Sequence, residues 1–333
     1  MIGMDIRQID RQRTMKVAKA AAVLALVLAV APRFDDPIVA AAPDGRVFQF
    51  RSAQDLDSYY RKIGYTLSGL MGGSTAVPRF YLVRFSKGWA EKISPIAKKD
   101  IFYRTMLPLI LRVNEAVQTD RRRLLNVDRH LAAGGALEPA NAAWLAGQAK
   151  AYVVLADDRA TANGVSALGP AARRKVVDRL RLRMDGVPVS LALAQGALES
   201  GYATSRFATE GNAFFGQWRL GGGMKPDRQR ASKSDYGVAN FATPLASFRA
   251  YLNNLNTHPA YKSFRRLRAK MRLAGRVLAG DRLAETLYSY AETGPVYVDT
   301  LRTIIGSDQL GRLNGLRLED GDQSRLVPVA RRG

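Results

Sequence analysis

The sequence contains no cysteine, and its only histidines are His130 and His258. Disulfides, cysteine nucleophiles, iron–sulfur clusters and cysteine-built zinc sites are therefore excluded together. Two histidines are too few for a histidine-built metal centre, so no metal or other cofactor is expected. Any catalysis must rest on carboxylates, hydroxyls or backbone groups. Acidic residues are also scarce: 29 Asp and Glu face 51 Lys and Arg, a formal charge of +22. Such an imbalance speaks of partners rather than fold. Nucleic acid, an anionic membrane surface and a cell wall carrying peptide carboxylates would all suit it. The local basic clusters, Arg121, Arg122, Arg123 and Arg265, Arg266, Arg268, Lys270, Arg272, read first as solvated helix faces. No internal repeat, low-complexity tract or recognisable nucleic-acid module accompanies the charge, so no specific nucleic acid is expected as a partner.

What the chain does have is enough apolar residue, 47% of 333, for a sizeable core. Near its start, Arg7, Arg11, Arg13, Lys16 and Lys19 precede an apolar run from Ala20 to Ala31. A basic flank followed by about 7–15 apolar residues is the pattern of an export signal, and the run is short of the roughly 20 residues that a membrane span wants. Pro32 and Pro43 each directly follow a small-residue cleavage-like site, so an uncleaved anchor through residues 17–31 is an alternative to cleavage. In that case the basic flank stays in the cytoplasm and the rest lies outside. Either way, the expected location is the periplasm or cell envelope.

Helical patterns dominate the remainder. Ile101, Met106, Leu109, Ile110, Val113 and Val117 recur at helical spacing, Glu138 to Leu155 is Ala-rich and amphipathic, and Gly134-Gly135 separates the two. The pattern predicts a mainly α (α+β) chain in five segments. Residues 1–33 form a signal peptide or signal anchor, 34–51 a linker, 52–165 a helical N-terminal region, 166–310 the unit carrying chemistry, and 311–333 a flexible tail.

The chemical unit centres on VPVSLALAQGALESGYATSRFATEGNAFFGQW, Val187 to Trp218. Pro188 suits a first helical turn, Leu191, Ala194, Gln195 and Leu198 share a face, and Gly201 is a natural stop. Glu199 then falls in the last turn beside apolar neighbours. The negative end of the helix dipole and partial burial both disfavour its charged form. That raises its pKa, as a glycosidase general acid requires near neutral pH. On the residues alone, an ordinary surface glutamate near a helix end fits as well.

The ordered set Ala197-Leu198-Glu199-Ser200-Gly201-Tyr202, Thr204-Ser205-Arg206-Phe207 and Asn212-Ala213-Phe214-Phe215-Gly216-Gln217-Trp218 resembles glycoside hydrolase family seventy-three, the glucosaminidases and murein hydrolases. The Gln-Trp after Gly216, the segment Ser247 to Tyr261, and Tyr290-Ala291-Glu292-Thr293 with Tyr297 resemble its Bax-like subgroup. So do Lys98 to Phe102 and Leu107-Pro108-Leu109. Lysozyme-type lytic transglycosylases also place Glu-Ser at a helix end, but continue with Gly-Leu-Met-Gln where this chain has Phe-Gly-Gln-Trp.

The resemblance implies a lysozyme-like helical domain with a small β-hairpin lobe. It also implies cleavage of peptidoglycan strands at the β-1,4 bond after N-acetylglucosamine, with Glu199 as acid. It puts Tyr290 near the sugar or the attacking water, and matches Asn212, Phe215 and Gly216 to an N-x-x-F-G motif. In that motif Asn212 would order the turn and Phe215 line the cleft. Tyr202 and Trp218 are candidates for stacking on sugars, with core packing as the alternative. Relatives place a second acidic residue in the hairpin lobe. Here Asp227, Asp235 and Glu210 are the choices; Asp235 is slightly favoured, and the substrate's own acetamido group is an alternative nucleophile. The hairpin's Gly221-Gly222-Gly223 run suggests a flap over bound glycan. The remaining readings are a lytic transglycosylase on the same polymer, or a wall-binding module that has lost catalysis.

Overall fold

A computed structural model of the chain describes residues 25–26, 46–74, 76–226, 235–291 and 293–329. The membrane anchoring expected through residues 17–31, apart from Ala25 and Leu26, lies outside them, as do Asp227, Glu292 and the final residues 330–333. No helix among the described residues is long and apolar enough to cross a membrane.

The architecture is mainly α with small sheets, as expected. The longest element is α3, Pro95–Ala132, entered through Ser94, whose hydroxyl accepts from the Ala97 N–H. From Ile101 to Leu111 every side of α3 is buried, as required of a helix that other elements surround. Pro108 lies inside it and cannot bond back to the Arg104 carbonyl; the Tyr65 hydroxyl donates to that carbonyl instead, at 3.0 Å. The Arg104 side chain is itself buried, stacks on Tyr60 at 4.9 Å and pairs with Asp57 and Asp100. It thereby clamps α1, Ala53–Lys62, to α3.

The central helix is α7, Val189–Ser200. Its first residues have no side-chain cap of their own. Asn314, far along the chain, accepts from the Ser190 N–H at 2.9 Å, and Asn114 of α3 holds Val187 through both its amide atoms. Around α7 pack α3, α11 (Gly280–Ala284), α12 (Pro295–Ser307) and a short 3-10 turn at Leu310–Leu313. Helix α9, Pro244–Thr257, begins at Thr243 as its Thr-Pro pair predicts, and buries Leu245, Phe248, Leu252 and Leu255.

The hairpin lobe is present: β5, Gln217–Leu220, pairs antiparallel with β6, Tyr236–Val238. The two-residue strand β1, Ala25–Leu26, runs parallel to Gln217 and Trp218. Two expectations change at the ends. Residues 46–50, read as linker, form β2 (Arg46–Phe50), and residues 317–328, read within a flexible tail, contain β7 (Arg317–Leu318) and β8 (Ser324–Pro328). Strand β8 lies between β2 and β4 (Phe80–Leu82), and β7 pairs with β3 (Ala76–Val77). All these pairings are parallel. Among the described side chains these segments hold two buried anchors, Phe50 and Leu326.

A second apolar cluster joins Leu124 and Val127 of α3 to α4 (Pro139–Ala151), α5 (Ala162–Ser166) and α6 (Pro170–Arg183). The boundary expected near residue 165 passes through this cluster. The basic clusters are not simply solvated faces. On α10, Lys262–Leu273, Arg268 is 1% exposed and donates to the carbonyls of Asp185, Gly186, Leu182 and Arg183. Its neighbour Arg265 donates to the Leu255 and His258 carbonyls. These arginines satisfy helix-end carbonyls that would otherwise be orphaned.

If β8 is structural, Leu326→Ala should destabilise the full chain by about 2–5 kcal/mol in urea unfolding, the usual range for emptying a buried leucine site. An unchanged midpoint would return residues 311–329 to the status of a flexible tail.

Candidate active site

Glu199 occupies the last turn of α7, and the chain then makes an unusual stop. Gly201, Tyr202 and Ala203 have φ of +60°, +58° and +63°, so three successive residues are left-handed, two of them with side chains. The Ser200 hydroxyl holds this turn. It donates to the Gly196 carbonyl at 2.5 Å and accepts from the Ala203 N–H at 2.8 Å. The Tyr202 N–H reaches back to Ala197 O and the Ser205 N–H to Ser200 O. From the N-terminal region, the Trp89 indole donates to the Ala203 carbonyl at 2.8 Å.

The facing wall is the segment from Asn212 to Gly216. Asn212 ends α8, Arg206–Gly211, in a left-handed conformation, and its Nδ2 donates to the Phe241 and Ala242 carbonyls at 3.1 Å. The Phe214 N–H donates to the Ser247 hydroxyl. Phe215 stacks on Tyr251 with ring centroids 4.1 Å apart, and its carbonyl accepts from the Tyr290 hydroxyl at 2.8 Å. These bonds deliver Gly216 to Glu199. Gly216 has φ +58°, and a Cβ there would lie 2.7 Å from Glu199 Oε2. The left-handed backbone favours glycine, and a side chain there would have to displace the Glu199 carboxyl.

Glu199 keeps part of its surface open to solvent, while burial pushes its carboxyl up to about 7, opposed by a hydrogen bond from Tyr297. Tyr251, Tyr290 and Tyr297 are raised well above the ordinary phenol value, first by burial and in each case also by the Glu199 charge. Tyr261 is raised for the same reasons. The acid is thus surrounded by neutral phenols. Behind them, Gln195 lies one helical turn before Glu199, accepts from the Tyr251 hydroxyl at 2.6 Å and donates to the Tyr297 hydroxyl at 2.8 Å.

A family model described as glucosaminidase, mannosyl-glycoprotein endo-beta-N-acetylglucosaminidase, matches residues 180–310. The chain is also 31% identical over 212 residues to Protein bax of Escherichia coli (strain K12), which covers 64% of this chain and 70% of that protein. The chain belongs to the glucosaminidase family. Its similarity to Protein bax puts it in the Bax-like branch, and the family places it among the peptidoglycan-related glycoside hydrolases. No solved structure matches it.

Within this member of the family the expected site residues separate into two groups. Glu199, Asn212, Gly216 and Tyr290 converge, but Tyr290 is 1% exposed and its hydroxyl is spent on the Phe215 carbonyl. There it braces the wall, with its hydroxyl turned onto the main chain. Phe215, expected to line the cleft, is 1% exposed, because its ring fills the core against Tyr251. Tyr202 is half-buried against Phe102, Tyr103, Lys98 and Lys99, the packing alternative for this side chain. Trp218 is half-buried on β5.

Asp235 is exposed, and its backbone carbonyl accepts from the Gly221 N–H in the hairpin stem. Glu210, also exposed, lies 3.8 Å from Arg206. Among the described residues, no carboxylate contributes to the Glu199 shift. The residues that sequence reasoning passed over are Gln195, Ser200 and Trp89. The first was detectable as a lone amide on an apolar helix face, a pattern that demands buried partners.

A carboxyl held near 7 when folded, against an ordinary 4.5, binds its proton more tightly in the native state. Stability is therefore lost as pH rises from about 4.5 through about 7. Glu199→Gln lacks that loss. Its melting temperature, measured relative to the parent by calorimetry, should climb between pH 4 and pH 8; a constant difference would mean that Glu199 titrates as an ordinary surface acid.

Proposed function

We propose that this chain hydrolyses peptidoglycan strands at the β-1,4 bond between N-acetylglucosamine and N-acetylmuramic acid, with Glu199 as general acid. The observation that carries the reading is the Glu199 carboxyl, desolvated at the end of α7 and shifted to about 7 with no cation against it among the described residues. An acid so placed retains its proton near neutral pH and can give it to a leaving group. In the reaction, Glu199 transfers its proton to the glycosidic oxygen as the bond from the anomeric carbon to that oxygen breaks. The N-acetylmuramic acid side leaves as an alcohol, and the Glu199 carboxylate then takes a proton from the water that completes hydrolysis.

The attacking group is best assigned to the substrate. N-acetylglucosamine carries its acetamido carbonyl beside the anomeric carbon, and attack by that oxygen needs no second protein carboxylate. The exposed position of Asp235 supports this route over one in which Asp235 activates water. The +22 charge favours accumulation on a polyanionic wall. The basic flank and apolar run before residue 33 support export to the periplasm or envelope, with retention at the inner membrane where the segment is not cleaved.

Digestion of purified sacculi by the full chain, with mass spectrometry of the new ends, should release reducing-end N-acetylglucosamine. Glu199→Gln should lower the rate by about 10²–10⁴-fold, the ordinary worth of a positioned acid. Anhydro-muramic ends would name a lytic transglycosylase, and binding without products in both proteins would name a wall-binding module.

A further inference from the structure

We propose that Gln195 is a positioning residue that fixes the Tyr297 hydroxyl as a hydrogen-bond donor to Glu199, acting through a chain that starts at Tyr251. This rests on Glu199 being the acid. Gln195 and Glu199 are four residues apart on α7 and therefore share one helix face. Gln195 is fully buried, so both ends of its amide must be satisfied within the protein.

The directions follow from counting protons. Tyr251 has one hydroxyl proton and gives it to Gln195 Oε1 across 2.6 Å. That orients the amide so that Nε2 faces Tyr297 and donates to its oxygen across 2.8 Å. With its oxygen already accepting from Gln195, the Tyr297 hydroxyl keeps its single proton for the carboxyl of Glu199, one helical turn further along the same face, where it opposes the effect of burial. Were the amide reversed, Gln195 Oε1 would take the Tyr297 proton and Glu199 would lose its donor. The Tyr297 ring is held flat on Tyr290, centroids 5.5 Å apart and planes 6° from parallel, so the hydroxyl cannot swing away without unstacking.

Among the described residues, the titratable groups that register the Glu199 charge are all phenols. They are Tyr251 from α9, Tyr261 from the 3-10 turn Pro259–Tyr261, Tyr290 from the turn Tyr288–Tyr290 and Tyr297 from α12. Since these remain neutral, the direction of a single hydrogen bond decides how far the acid is pulled back from the value that burial alone would impose. The chain acts as a trim: burial ensures that Glu199 keeps a proton, and the Tyr297 donor ensures that it can release one, because the resulting carboxylate is met by a fixed hydrogen bond.

The test is the pH dependence of kcat/KM on sacculus fragments for the full chain, Tyr297→Phe, Gln195→Met and the double variant. The limb lost with rising pH reports protonated Glu199, so removing a donor to its carboxylate must move that limb upward. A hydrogen bond to a charged group corresponds to a shift of about one pH unit or more for Tyr297→Phe. Gln195→Met should shift it in the same direction by less, and the double variant should shift no further than Tyr297→Phe alone. Phenylalanine keeps the stack and methionine the volume, so the fold should persist. As a readout independent of turnover, the pH at which the stability difference from the matching Glu199→Gln variant develops should move by the same amounts. A fall in kcat with the limb unmoved in both single variants would make Gln195 and Tyr297 packing residues only, and additive shifts would break the link between them. If Glu199→Gln retained full activity, the acid assignment itself would fall, and the relay with it.

Discussion

The Ser200 hydroxyl bridges Gly196 O and the Ala203 N–H, and the active-site wall depends on that bridge. Gly201 ends the helix after Ser200, and the bridge holds the two left-handed residues that follow it. The left-handed conformation costs about 1–2 kcal/mol for a residue with a side chain, and Tyr202 and Ala203 both adopt it. Such strain persists only where surrounding bonds over-determine it. Here those bonds come from Ser200, Ala197 and the Trp89 indole. The return is geometric, because an abrupt end leaves Glu199 beside the Gly216 backbone and not inside another helical turn.

A chain with 51 Lys and Arg could easily have placed one against its acid. A guanidinium at contact distance would stabilise the carboxylate and draw its pKa down, leaving no proton to donate at neutral pH. The fold avoids this by giving its buried arginines other work. Arg268 and Arg265 are consumed by backbone carbonyls at the ends of α6 and α9, and Arg104 by Asp57, Asp100 and the Tyr65 carbonyl. Phenols take the positions round Glu199 instead. They supply polarity without charge, so the site stays poorly solvating for an ion while still offering a donor.

The helix carrying Glu199 was legible because its boundaries are local: Pro188 opens it, Gly201 closes it, and the acid's place in the last turn follows by counting. The hairpin and α9 were legible for similar reasons, the latter from Thr243-Pro244 and a four-residue apolar series. The parallel pairing of β2 with β8 was not, since it registers Arg46 with Ser324 and neither strand carries a strong alternating pattern. Nor could charge spacing reveal that Arg268 is buried, because its partners are main-chain carbonyls whose availability depends on where α6 stops. Phe215 and Tyr290 belong to the motif for a reason other than the one their chemistry suggests: one fills the core, the other bonds a carbonyl, and together they set Gly216 in place.

These contacts also bear on where the working unit begins. The family match covers residues 180–310, yet Phe102 of α3 packs on Tyr202, Phe85 on Phe214, and Trp89 bonds the left-handed turn. Phe85, Phe102, Phe214 and Phe215 share one apolar cluster with Leu326 near the other end of the described chain. The strain at residues 202–203 is therefore offset in part by groups outside the matched segment. Side chains from Val77 to Val113 are walls of the same core that buries the acid. A general acid tuned by burial needs its whole enclosure, and in this chain the enclosure is drawn from both sides of α7.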